Sequence, residues 1–142
     1  MQFVYPAALT RTGPRELVVS FRDLPECLTS GEDTDAALAA AADALAEALA
    51  GRIDDGEPIP EPTSAESGEH EVAVPPGIAA KAALAIAFQR SGLTRVAFAE
   101  LLGVDEKVVR RLLDPRHGTS PDRIGKALRS LGQRLSIDVR AA

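Results

Sequence analysis

Residues 94–114 read TRVAFAELLGVDEKVVRRLLD, and their spacing decides how the second half of the chain folds. At helical period Phe98, Ala99 and Leu102 make one apolar stripe, Gly103 interrupts it, and Val104, Val109 and Leu112 begin another. Thr94 is placed to cap a helix starting at Arg95. Gly103 supplies the backbone freedom of a tight bend, and Asp105 is placed to cap a second helix from Glu106 to Leu113. Two short helices with a sharp turn between them are predicted, a helix-turn-helix. Ala99 lets the helices approach closely, and Val109 and Leu112 turn inward to seat the second one. The opposite face then carries Lys107, Arg110, Arg111 and Asp114, with Asp105 and Glu106 at its N-terminal end, as in a helix that reads a DNA major groove.

Two amphipathic helices around a glycine also occur in bundles that touch no nucleic acid, so the flanks matter. Gly92 ends a preceding helix, and a loop with Arg116, His117 and Gly118 leads into a further one, the layout of a small multi-helix DNA-binding domain. In that reading Lys107, Arg110 and Arg111 face the groove or its phosphates, and Arg95 and Arg116 lie near the backbone. Asp105 and Glu106 set register or accept from cytosine, and His117 is a phosphate contact or a plain loop residue.

A chain of 142 residues is long enough for one domain or two small ones. It is rich in Ala and poor in aromatics, which favours closely packed helices. No apolar run approaches a membrane span, and Met1 leads into a strand-like segment without a basic leader, so a cytoplasmic protein is expected. Cys27 is the single cysteine, which excludes an internal disulfide. Charge is divided. Residues 1–70 carry four Arg against fourteen acids, a net of −10, while residues 71–142 carry twelve Lys or Arg against seven acids, a net of +5. An acidic half joined to a basic half points to different partners for each.

From the N-terminus, Gln2 to Leu9 reads as a strand that Pro6 restricts to an edge or bulge, and Glu16 to Phe21 as its hairpin partner. Glu26 to Thr29 reads as a third strand. A helix capped by Thr34 or Asp33 carries Leu38, Ala41, Ala42, Leu45 and Leu49 and is expected to stop at Gly51. Residues 54–68, DDGEPIPEPTSAESG, form an acidic, Pro-rich loop, after which HEVAVP (70–75) is expected to return to the hairpin's sheet. Ile78, Ala82, Ala85 and Phe88 give a helix stopped by Gly92. Ser120 and Pro121 begin a last helix over 122–131, and Arg134 to Val139 alternates as a terminal strand, whose partner is a second chain or the first domain. Domains 1–75 and 76–142 follow.

With these parts in place the chain resembles the HicB-type antitoxins that carry a C-terminal helix-turn-helix. The matching motifs are Tyr5 and Pro6 in the first strand, a second strand ending at Phe21, DLPEC (23–27), the Thr-capped DTDAAL (33–38), RLLDPRH (111–117) and the ALRSLGQRLSIDV ending. Glu26 stands where that family usually has glycine. The resemblance implies an α+β fold: an N-terminal partial RNase H-like ββ(β)α(β) domain, followed by the helical DNA-binding and dimerisation domain with its terminal strand. It further implies a partner, a small basic HicA-type mRNA-cleaving ribonuclease toxin, which the first domain blocks. Repression of its own operon through operator double-stranded DNA is implied as well, by a homodimer or a tetramer. The charge division agrees independently. For toxin binding the acidic region of Asp54, Asp55, Glu57 and Glu61 is the candidate.

Catalysis is not expected. A metal-dependent nuclease needs carboxylates converging from strands and helix ends, but Asp23, Glu26, Glu32, Asp33 and Asp35 sit at turns and a helix start, leaving Glu16 as the one strand candidate. No catalytic residue, metal site or cofactor is assigned, and no phosphate-cradling glycine loop occurs. A ligand-sensing repressor and an RNase H-like nuclease are the alternatives.

Overall fold

A computed structural model describes all residues, 1–142. Contacts divide the chain into two units, 1–79 and 80–142. Moving the division to that point sharpens the charge asymmetry. The first unit holds four Arg against fifteen acids, a net of −11, and the second twelve Lys or Arg against six acids, a net of +6. No helix is long and apolar enough to cross a membrane.

The first unit is a four-stranded antiparallel sheet with one long helix. Its strands are β1 (Val4–Gly13), β2 (Glu16–Ser20), β3 (Leu28–Gly31) and β4 (His70–Ala73), in the order β3-β2-β1-β4, and its helix is α1 (Thr34–Asp55). The expected return of 70–75 to the hairpin's sheet is met, with Tyr5 opposite Val72. Several expected bounds shift. β1 runs to Gly13, through a bulge between Arg11 and Gly13, because β2 continues to pair with it past Leu9. The third strand is 28–31 and not 26–29: Cys27 N donates to Leu24 O, so Glu26 and Cys27 belong to the preceding turn.

Pro6 lies in a strand with two neighbours, against the expected edge, and its backbone direction explains how it is tolerated. Val74 N donates to Phe3 O, so Phe3, Tyr5 and Ala7 direct their polar backbone groups toward β4. Pro6 faces the other side, where β2 pairing has ended at Ala8 opposite Ser20. The missing N–H costs no ladder bond there.

Asp33 caps α1, its carboxylate accepting from Ala36 N at 2.8 Å. The helix passes through Gly51 and ends at Gly56, whose φ of 66° is the left-handed conformation that favours glycine. Residues 54 and 55 are therefore helix, not loop. Ala37, Ala41, Leu45 and Leu49 bury one stripe of α1 against Tyr5, Leu17, Val19, Phe21 and Val72 of the sheet. Small side chains bring helix and sheet close. A Cβ on Gly31 would stand 2.3 Å from Ala37 N, so only glycine fits where β3 passes the start of α1.

The second unit is helical. It takes most of α2 (Pro76–Ser91) and all of α3 (Arg95–Leu102), α4 (Glu106–Leu113) and α5 (Pro121–Ser130). Thr94, Asp105 and Ser120 cap the last three through side-chain oxygens. Leu84, Phe98, Ala99, Val109, Leu112, Ile124 and Leu128 form the core, with the Phe88 and Phe98 rings 5.3 Å apart. Residues 134–139 do not form the expected strand, and no strand of the chain pairs with them. Leu135 packs on the core, but Ile137 and Val139 are 76% and 89% exposed. An extended segment without a neighbour has no ladder to hold it.

Candidate functional site

In the second unit α3 and α4 are joined by Gly103, Val104 and Asp105. Gly103 has φ 67°, and its N–H together with that of Val104 bonds back to the last turn of α3, closing a bend too tight for a residue with a Cβ to adopt freely. Asp105 then caps α4, its carboxylate accepting from Lys107 N at 2.8 Å, and Glu106 sits in the positive first turn. Asp105 is thus engaged with its own backbone.

Val109 is fully buried and Leu112 nearly so, while Lys107, Arg110 and Arg111 are exposed along the outer side of the same two turns. Arg95, at the start of α3, is exposed, as are Arg116 and His117 in the loop after α4. Asp114, which sequence spacing puts on the outer face with the cations, instead ends the helix: its carboxylate accepts from Arg116 N at 2.9 Å and its carbonyl from His117 N.

Sequence reading passed over Lys81. Only 4% exposed, its ammonium donates to Arg111 O and Leu112 O at 2.9 Å each and to Thr119 Oγ1 at 2.7 Å. Burial pushes its pKa below the usual lysine value, an effect the Asp114 carboxylate opposes. The signal was present: a single charge inside the apolar run IAAKAALAIAF (78–88) is out of place unless something receives it.

In the first unit the segment after α1 is ordered by polar ties. Tyr5 Oη donates to Pro60 O at 2.7 Å, Asp23 accepts from Thr63 N at 2.9 Å, and Arg22 holds Glu69 through two hydrogen bonds as well as Thr63 and Ser64. Ile59 packs on the core. The loop is therefore pinned at several points, which its composition did not reveal.

Asp54, Asp55, Glu57 and Glu61 are all exposed. An open groove of about 550 Å³ brings Asp55 and Glu57 together with Glu26, Glu47 and Arg52, but leaves out Asp54 and Glu61. Arg52 pairs with Glu26, whose pKa falls below the usual glutamate value because Arg52 hydrogen bonds favour the charged carboxylate. Four carboxylates against one guanidinium leave the groove acidic. No three carboxylate, imidazole or thiol groups gather as metal ligands, and Glu16 instead accepts from Thr12 at 2.8 Å. Cys27 is buried, and that burial, reinforced by the Glu26 carboxylate, pushes its thiol up to about 11.

Residues 4–83, containing all four strands and α1, match the family described as HicB_like antitoxin of bacterial toxin-antitoxin system. The chain belongs to that family. This HicB-like antitoxin is also 37% identical over 133 residues to Antitoxin HicB of Escherichia coli (strain K12), covering 94% of this chain and 96% of the relative. It is 36% identical over 135 residues to Antitoxin HicB 1 of Photorhabdus laumondii, at 95% and 86% coverage. Antitoxin HicB of Pseudomonas fluorescens is 32% identical over 133 residues, at 91% and 89% coverage. The protein is accordingly an antitoxin of a toxin-antitoxin system, with a toxin as its partner.

Proposed function

We propose that this antitoxin neutralises a small basic HicA-type ribonuclease with its acidic first unit and represses its own operon with its basic second unit. The observation that carries the reading is the placement of Lys107, Arg110 and Arg111 on the outside of α4, directly over a buried Val109 and Leu112. A helix seated from behind and cationic in front can lie in a major groove, and the α3-turn-α4 arrangement is then a helix-turn-helix. Arg95 and Arg116 stand beside it to meet phosphates, and Glu106 remains available to set register. The first unit, read as a partial RNase H-like domain, offers Asp55 and Glu57 in an acidic groove that suits a basic, RNA-binding toxin.

The operator-bound form is a homodimer, because the exposed Ile137 and Val139 need a neighbour and a second copy of residues 134–139 supplies one by antiparallel pairing. The test is gel retardation of the DNA upstream of the gene by the full chain and by the Arg110→Ala, Arg111→Ala double variant, with toxin pull-down in parallel. Retardation is lost and toxin capture kept if the reading holds. Unchanged retardation in the double variant removes α4 as the reading element.

A further inference from the structure

The last carbonyls of a helix have no helical N–H to accept from and normally fray toward water. At the end of α4, Arg111 O accepts from the Asp114 N–H at 3.3 Å, and Lys81, reaching from α2, holds both Arg111 O and Leu112 O and ties Thr119 Oγ1 to the same nitrogen. An ammonium has three N–H groups, so its donor capacity is filled. The negative end of the α4 dipole adds to the attraction. Burying a lysine is costly, and the three oxygens that meet its ammonium offset that cost. The charge therefore secures something that packing alone does not: the angle of α4 and the path of the loop that carries Arg116 and His117.

We propose that Lys81 is a positioning residue for the DNA-reading face, setting the angle at which α4 presents Arg110 and Arg111 and so governing sequence preference more than overall attraction to DNA. This rests on the DNA-binding reading above. Non-specific attraction depends on cations being at the surface, and it survives a tilt of the helix, whereas base contacts do not.

The experiment titrates the full chain against a labelled duplex from upstream of its gene and against a scrambled duplex of equal length, at fixed salt. For Lys81→Met the preference for the upstream duplex falls about tenfold, roughly the loss of one base contact, while affinity for the scrambled duplex and its salt dependence stay unchanged. A preference within about twofold of the parent overturns the proposal, being too small a change for a lost base contact. If Lys81→Met does not fold, or loses both affinities together, Lys81→Gln decides, since it keeps a polar donor for the buried carbonyls but is shorter and cannot satisfy all three acceptors as the ammonium does. A smaller but measurable drop in preference alone supports the role, and no drop overturns it. A parent chain with no preference between the duplexes defeats the DNA-binding reading itself, an outcome separate from a preference that Lys81→Met leaves intact.

Discussion

The phenol of Tyr5 in β1 donates 2.7 Å to the carbonyl of Pro60, joining the centre of the sheet to a loop 55 residues further along the chain. Burial, reinforced by the Asp23 carboxylate and opposed by Arg52, raises the Tyr5 pKa to about 12. The unfolded chain releases that proton near pH 10, so between pH 10 and about 12 the folded state binds more protons and stability falls as pH rises. The contribution is complete below pH 10 and is worth about 2 to 3 kcal/mol there. Chemical denaturation of the parent and Tyr5→Phe across that window should show an alkaline loss in the parent that the variant lacks.

Two glycines of the first unit should respond oppositely to alanine. Gly31→Ala drives a Cβ into the backbone of Ala37, which cannot yield, and should cost about 2 to 3 kcal/mol. Gly51→Ala lies inside α1 with nothing within 4 Å of the new methyl and should stabilise by about 0.5 to 1 kcal/mol. Thermal unfolding of the two variants reads both signs.

The buried and exposed faces of α4 are separable. Val109→Ala empties a fully buried position, so it should cost about 2 kcal/mol of stability and weaken DNA binding through it. Arg110→Ala removes an exposed side chain, so it should shift stability by less than about 0.5 kcal/mol and still weaken DNA binding. Urea midpoints beside retardation curves distinguish them.

Reversing charge in the acidic groove should slow toxin capture without unfolding the antitoxin. Asp55→Lys with Glu57→Lys changes two exposed residues, and the association rate with a basic toxin should fall most at low salt, where steering is strongest. Stopped-flow association at two ionic strengths measures this, and unchanged rates would move the toxin surface elsewhere.

Acid should release the tie between α1 and the turn before β3. Arg52 holds Glu26 below its ordinary pKa, so that contribution is present above the unfolded glutamate value and is lost as pH falls through the depressed one. The pair is partly exposed, so Glu26→Gln should cost less than about 1 kcal/mol at neutral pH and flatten the acid limb of a stability profile.

Local signals carried much of this fold. Caps at Thr94, Asp105 and Ser120, the αL glycine at 103 and the alternating pattern around Val72 each act over a few residues, and sequence periodicity reports such effects directly. The misreadings have long-range causes. Gly51 looked like a stop, but α1 continues because Leu49 is still packed in the core with the sheet and the left-handed cap comes only at Gly56. Loop 57–69 looked free because Arg22 and Asp23, its partners, lie about forty residues away. Lys81 was legible as a charge out of place in an apolar run, but its partners were not, since the carbonyls of Arg111 and Leu112 have no side-chain signature. The terminal segment shows the reverse failure: alternation was legible at Leu135, Ile137 and Val139, but a pattern cannot supply the neighbouring strand.

The order β3-β2-β1-β4 has a practical corollary. A single cut among the exposed residues 64–68 would leave three strands and α1 on one piece and β4 on the other. Each piece alone carries an incomplete fold, while together they can rebuild the whole. This makes the molecule a natural candidate for a two-part complementation reporter, in which signal returns only when the halves meet.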